Sequence, residues 1–376
     1  MLQTKSQPKN WRKIKVGGFV TLNYGKGLPE RDRIPGPYPV YGSAGKVDTH
    51  KEYIVEGPGI VVGRKGSVGE LYYTDENYYP IDTVYYITES EKYDLHFLYY
   101  LLHTIDFKSL NSDVAVPGLN RNVAYAQDVL IPNVVTQQEI GQILATYDNL
   151  IENNTKRIKI LEQIAQAIYR EWFYEDGGKI TKLENCFSIQ RGKSYRSDEL
   201  SDSEGAPFVN LKCIDRDGGF RKSGLKRFIG TFKESQKVTA GDIVVAVTDM
   251  TQERRIVARA ARVPTLEGGF GVISMDLVKL QPKENCDPDY LYCLLRWSGF
   301  SDEVKNHANG ANVLHLNPAR ITDYKTFVAS PEKQKEFGNK VHSIFDLIDR
   351  LELQNESLRP ARDLLLPKLV TGEIQV

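Results

Sequence analysis

The stretch IGQILATYDNLIENNTKRIKILEQIAQAIYREW (140–172) decides the architecture. Stepping by four and three residues alternately, positions 140, 144, 147, 151, 154, 158, 161, 165, 168 and 172 read Ile, Leu, Tyr, Ile, Asn, Ile, Leu, Ala, Ile and Trp. That is a sustained heptad stripe, the signature of a helix that packs along its length against another helix. A second copy lies 197 positions further on, at Phe337, Val341, Ile344, Ile348, Leu351, Asn355, Leu358, Arg362, Leu365 and Leu369. Two such stripes in one chain predict a coiled coil built from the chain's own halves. The first long helix is expected over the run without Gly or Pro, Gln142 to Asp176, and the second after Pro331.

Outward from these stripes the duplication extends over the chain. Gly25-Lys26 returns as Gly192-Lys193 at an offset of 167, and Ile60-Val61-Val62 as Ile243-Val244-Val245 at 183. Leu98-Tyr99-Tyr100-Leu101-Leu102 returns as Leu291-Tyr292-Cys293-Leu294-Leu295 at 193. From Leu119-Asn120 and Leu316-Asn317 onward the offset holds at 197 without a gap to Phe173 and Val370. The added residues of the second half therefore fall in its front part. Each front mixes short β-like runs, GIVVGRKGSVG (59–69) and GDIVVAVTD (241–249), with turn residues and one short helical run, HFLYYLLH (96–103) or DYLYCLLRW (289–297). The expected order is a mixed α/β (α+β) domain at 1–135, a helical region at 136–176, a second such domain at 177–331 and a second helical region at 332–376.

Asparagine stands once in each stripe, as Asn154 and Asn355. A polar residue in a coiled-coil seam sets register, because it is best satisfied by a polar partner. An antiparallel register that joins the two asparagines also places Trp172 on Phe337, whereas a parallel one sets Asn154 against Leu351. The stripes thus predict an antiparallel pair, with Pro360 as the point where the second helix can bend.

Composition narrows the function. The 49 basic and 49 acidic residues cancel, which excludes a strongly basic tail. The front domains carry 15 basic against 15 acidic residues (1–135) and 23 against 20 (176–331), so non-specific attraction to a polyanion is weak. Cys186, Cys213, Cys286 and Cys293 form no C-x-x-C pair, so free buried thiols are expected rather than a disulfide framework or a zinc knuckle. The polar start MLQTKSQPKN has no signal-peptide core and no apolar run reaches membrane-spanning length, which points to a cytoplasmic location.

Catalytic patterns fail in turn. Gly192-Lys193-Ser194 ends like a P-loop, but Phe187 stands where the first glycine is required. Asn317-Pro318 starts like an amino-methyltransferase motif, yet Ala319-Arg320 follows; GGFG (268–271) lacks a strand-then-helix setting and reads as a turn. Asp289, Glu303 and Lys305 loosely match a metal-dependent endonuclease, the main alternative reading; a coiled-coil adaptor that binds no DNA is another. The six histidines form no metal-ligating pattern.

What remains are polar, glycine-punctuated loops suited to phosphates and base edges. In the first half these are PVYGSAGKV (39–47), with Tyr41, Ser43 and Lys46; RKGSVG (64–69), with Arg64, Lys65 and Ser67; and the turn Asn120-Arg121-Asn122. In the second they are TDMTQERR (248–255), with Thr248, Gln252, Arg254 and Arg255, and ANGANVLHLN (308–317), with Asn312, His315 and Asn317.

PVYGSAG (39–45), VVGRKGSVG (61–69), YYPIDTVYYI (78–87), VPGLNRN (116–122) and LLLPKLVTGEI (364–374) together resemble the DNA-specificity (S) subunit of type I restriction–modification systems, over almost the whole chain. The resemblance implies two target-recognition domains, each followed by a conserved helical region. It also implies a non-catalytic subunit that reads a bipartite site on double-stranded DNA. Two methyltransferase subunits and motor-nuclease subunits would be its partners. S-adenosylmethionine, ATP and magnesium would belong to those partners and not to this chain. Arg64, Lys65, Ser67 and Asn120 to Asn122 correspond to family loops near DNA; VAVTDM stands where RKGSVG is expected in the second half, a departure that leaves the residues there less defined.

Overall fold

The computed structural model describes residues 10–110, 118–173 and 179–376. The expected boundary at 176/177, the end of the first helical run and Val116-Pro117 of the VPGLNRN motif lie outside them. The described chain forms two compact units: residues 1–153 with 355–376, and residues 154–354.

Both units are built to one plan. In the first, a four-stranded sheet runs in the order 23–24, 84–88, 59–63, 71–74, beside a three-stranded sheet ordered 45–50, 38–42, 79–80. In the second, the corresponding order is 187–191, 277–282, 243–246, 260–262, and the neighbouring sheet has grown to five strands, 200–201, 226–228, 206–209, 271–273, 237–238. Each second sheet contains one parallel pair, Val40–Tyr41 with Tyr79–Pro80 and Phe208–Val209 with Val272–Ile273. A two-stranded antiparallel ribbon closes each unit, Arg12–Lys15 on Asp128–Ile131 and Lys179–Lys182 on Lys325–Val328. The repeated Gly-Lys pair has a steric reason. A Cβ on Gly25 would stand 2.0 Å from the carbonyl oxygen of Ile81, and one on Gly192 would stand 2.0 Å from that of Ser274. Only glycine lets the chain cross its neighbour there.

The short helical runs form Leu95–His103 and Pro288–Trp297, capped by Asp94 and Asp287. The long helices span Val134–Phe173 and Pro331–Val370; adding 197 to both ends of the first gives the second. The first starts eight residues before Gln142 because Gly141 is not a breaker here. A Cβ at Gly141 would approach the Asp94 carboxylate to 2.4 Å, and one at Gly338 the Asp287 carboxylate to 2.3 Å, so each glycine is the hole that admits a cap. The second helix continues through Pro360.

Antiparallel packing is visible inside each unit. In the first, Arg362 ion-pairs with Asp148, the Asn355 amide points at the Ile151 carbonyl (3.5 Å), and Ile140 and Leu144 share a core with Leu365 and Leu369. Rising numbers on one helix thus meet falling numbers on the other. In the second, Asn154 donates to Gln354 Oε1 (3.3 Å) and Trp172 meets Phe337 edge-on at 5.9 Å, the pairing expected from the stripe. Among the described residues no helix is long and apolar enough to cross a membrane. The four cysteines are free and buried.

One polar device joins each front domain to its long helix. The Asp94 amide donates to Gln137 Oε1 (3.0 Å), and Gln137 Nε2 donates to the Pro132 carbonyl (3.0 Å). The copy is complete: Asp287 N–H to Gln334 Oε1 (3.1 Å), Gln334 Nε2 to Ala329 O (2.8 Å). The glutamines are 1% and 2% exposed. Replacing either by Leu orphans a buried donor and a buried acceptor. Gln137→Leu or Gln334→Leu should therefore cost about 2–4 kcal/mol in urea unfolding of the full chain; a cost below about 0.5 kcal/mol would mean the lock adds nothing to stability.

Candidate nucleic-acid interface

In the first unit the donor-rich segments converge. Arg64 and Lys65 hang their amides on the Thr83 carbonyl (2.9 and 3.1 Å), and the Arg64 carbonyl accepts from Leu119 N–H (2.8 Å). A bridge between Lys65 and Gly118 completes the junction, so RKGSVG and Asn120-Arg121-Asn122 become neighbours. Ser43 joins them: its Oγ lies 3.2 Å from where a Gly66 Cβ would be. Lys65, Ser67, Lys46, Asn120 and Asn122 are exposed, while Arg64 and Arg121 are half-buried. Asn120 is engaged locally, its Oδ1 capping Asn122 N–H (2.9 Å). Tyr41 is turned into the sheet, against the rings of Tyr72 and Tyr78.

Tyr24 was absent from the sequence motifs and belongs to this cluster. It ends the short strand Asn23–Tyr24 and stays 49% exposed. Arg64 and Arg121 both stand over its ring, at 4.9 and 5.0 Å from the centroid. Strand position alone carries no hint of this, because the arginines reach Tyr24 through tertiary pairing.

In the second unit the two candidate loops also meet. Gln252 Nε2 donates to the Ala311 carbonyl (2.9 Å), Arg254 Nη2 points at that of Ala308 (3.5 Å), and Thr248-Asp249 pair with Leu314-His315. Arg255 is exposed and lies against Glu253; Asn312, His315 and Asn317 are exposed, and Asn317 Oδ1 caps Ala319 N–H (3.1 Å) as Asn120 does in the first unit. Thr248 departs from expectation. It is 3% exposed within its strand, so its hydroxyl is no surface donor.

Asp249, not singled out from the sequence, holds the loop that follows. It is buried and accepts from the amides of Thr251 (2.9 Å), Ile256 (2.7 Å) and Val257 (3.1 Å) and from the Thr251 hydroxyl (2.9 Å). Burial alone would raise its pKa, but the bonds from Ile256, Thr251 and Val257 outweigh that and hold the carboxyl below its ordinary value. A depressed folded-state pKa means its contribution is complete above about pH 4, the unfolded value, and is lost as pH falls through the folded one. Asp249→Asn should leave the fold intact but speed hydrogen exchange at the Ile256 and Val257 amides at neutral pH by roughly tenfold or more. Unchanged exchange would show that the carboxylate does not hold the loop.

Two of the three residues of the nuclease reading, Asp289 and Lys305, have other partners. Asp289 is buried between Arg262 (3.6 Å) and His342 (2.7 Å), and Lys305 pairs with Asp302 (2.8 Å). The Asp289 hydrogen bond raises the His342 pKa.

These features define a duplicated protein: two units of one plan, each with a cluster of donor-bearing loops. Residues 8–163 match the family described as the type I restriction modification DNA specificity domain, so this part of the chain is similar to that family. Two similar proteins come from Methanocaldococcus jannaschii. The type I restriction enzyme MjaVIII specificity subunit is 22% identical, over 98% of this chain and 94% of its own length. The MjaIX specificity subunit is 24% identical, over 74% and 69%. Among solved structures, the type I restriction–modification S subunit from M. genitalium superposes with a TM-score of 0.71 at 17% identity, over 98% of both chains, a likeness of fold.

Proposed function

We propose that this chain is a type I restriction–modification specificity subunit, which reads a bipartite site on double-stranded DNA, one half through each front domain, and docks methyltransferase subunits along its long helices. The front domains meant are residues 1–135 and 177–331. The observation that supports the reading best is the paired loop cluster. Both units bring a donor-bearing loop (64–69; 249–257) against the segment preceding the last strand (118–122; 308–317), by backbone or backbone-directed bonds. The placement of the two segments is the same in both units, while the bonds that join them and the side chains they present differ, as two readers of different sequences require. Arg64, Lys65, Ser67, Arg121 and Asn122 serve the first half-site; Gln252, Arg255, Asn312 and His315 serve the second. The chain does no chemistry itself. S-adenosylmethionine, ATP and magnesium belong to the methyltransferase and motor-nuclease partners.

Replacing residues 1–135 by the corresponding part of a relative should change one half of the sequence methylated by the reconstituted complex, read by whole-genome methylation mapping. A change in both halves, or in neither, would count against independent readers. Within the first domain, Arg64→Ala should weaken specific duplex binding by about 1–3 kcal/mol without changing thermal stability.

The docking surface follows from the long helices. Ile160 and Ile164 on the first long helix are exposed, beside the buried seam residue Ala165. Apolar side chains left outside a satisfied seam suit a partner subunit. Ile160→Asp with Ile164→Asp should abolish co-purification of the cognate methyltransferase while the chain stays folded; undiminished co-purification would move the docking surface elsewhere.

A further inference from the structure

We infer that Arg64 and Arg121 form a two-arginine clip for one DNA phosphate, and that Tyr24 is the positioning residue that holds it open. This rests on the DNA-reading role proposed above and adds what the cluster contacts and how it is kept ready.

The arginines are 57 positions apart and come from different segments, yet both stand over one exposed ring. With centroid distances of 4.9 and 5.0 Å, their charges lie within about 10 Å of each other, one Debye length at ~0.1 M salt. Like charges so placed repel. Three other arginines in crowded surroundings are neutralised, Arg262 by Asp349 (2.8 Å), Arg296 by Glu162 (2.9 Å) and Arg33 by Asp48 (3.5 Å). Among the described residues Arg64 and Arg121 have no carboxylate partner. They are steadied by neutral groups only: the Tyr24 face, the rings of Tyr85 (5.7 Å from Arg64) and Tyr125 (5.9 Å from Arg121), and the Asp82 carbonyl, which accepts from Arg64 Nη1 (3.1 Å).

Cation–π contacts attract a guanidinium without cancelling its charge, so they orient the pair and leave its demand for an anion unmet. A carboxylate in Tyr24's place would hold the arginines more tightly and remove that demand. Tyr24 is itself fixed, by pairing with Tyr85 across the strands and by edge contact between the two rings at 5.0 Å. Two forked guanidiniums gathered at one ring can share the oxygens of a phosphate set between them. The clip belongs to the first unit alone: at the repeat-equivalent positions the second has Arg191 for Tyr24 and Pro318 for Arg121.

The test uses the purified full chain and a pool of random-sequence duplexes, from which retained molecules are sequenced and one is titrated over a salt series. Failure of the wild-type chain to retain any duplex would overturn the DNA-reading role and the clip together. Where the wild type binds, Tyr24→Leu should weaken binding about tenfold and flatten the plot of log affinity against log salt by about one unit, close to the ~0.9 released per phosphate. Its preferred sequence should not change, and Tyr24→Phe, which keeps the ring, should bind within about twofold of wild type. Two results would overturn the clip and spare the DNA reading: Tyr24→Leu binding like wild type, or a changed sequence preference with an unchanged salt slope, which would make the cluster a base reader. Should Tyr24→Leu unfold, Arg64→Ala and Arg121→Ala decide. Their combined loss should be well below the sum of the single losses, and full additivity would overturn a shared phosphate.

Discussion

The buried glutamine lock is the constraint on which each half of this protein depends. An Asp cap must present its backbone amide to Gln137 or Gln334, and the same glutamine must reach a carbonyl just before its helix. Both groups are out of water, so neither can drift without leaving an orphaned donor or acceptor. Gly141 and Gly338 make the arrangement possible by leaving room for the carboxylate one turn along. The helix therefore leaves its domain from one fixed point. This explains why the repeat offset stays at 197 from Leu119 onward, while the front parts differ in length. An insertion at the junction would break the lock; one in a sheet-edge strand or loop leaves it untouched, and that is where the second unit has gained strands 200–201 and 237–238.

Legibility in the sequence followed the range of the interactions. The heptad stripe and the duplication could be read because they are patterns along the chain, and Trp172 on Phe337 followed from the seam's spacing alone. The start of the first long helix was misplaced because glycine within a helix reads as a weak point, while its reason, the Asp94 carboxylate, lies 47 residues away. Thr248 looked like a donor because it opens a polar run, but it pairs as a strand with His315, a partner no local pattern announces. Tyr24 gave no signal at all. Its role depends on two arginines delivered by the backbone junction of Arg64 with Leu119.

The two units solve loop stiffness differently on a shared plan. In the first, the amides of Arg64 and Lys65 converge on one carbonyl, Thr83, so backbone holds backbone and the side chains there remain free to vary. In the second, a single buried carboxylate, Asp249, gathers three amides and a hydroxyl. That device ties loop order to one side chain and to its ionised state. In the first unit the exposed side chains of Lys65 and Ser67 stand on a backbone framework that does not use them, whereas in the second Gln252 is itself part of the junction.

Such a framework also bears on how a chain of zero net charge engages a polyanion. With 49 cations against 49 anions, overall attraction to a polyanion is small, and the crowded basic side chains Arg262, Lys279 and Arg296 are matched to carboxylates. Affinity must then come from cations left unmatched at chosen points. A carboxylate-paired arginine would have to break its pair before meeting a phosphate, returning much of what the new contact supplies. An arginine held by an aromatic face keeps both its orientation and its charge. Under the proposed DNA-reading role, placing the uncompensated charge on rings and carbonyls rather than on carboxylates would let a neutral protein bind at these loops without clinging to DNA elsewhere, so that one arrangement would serve both affinity and specificity.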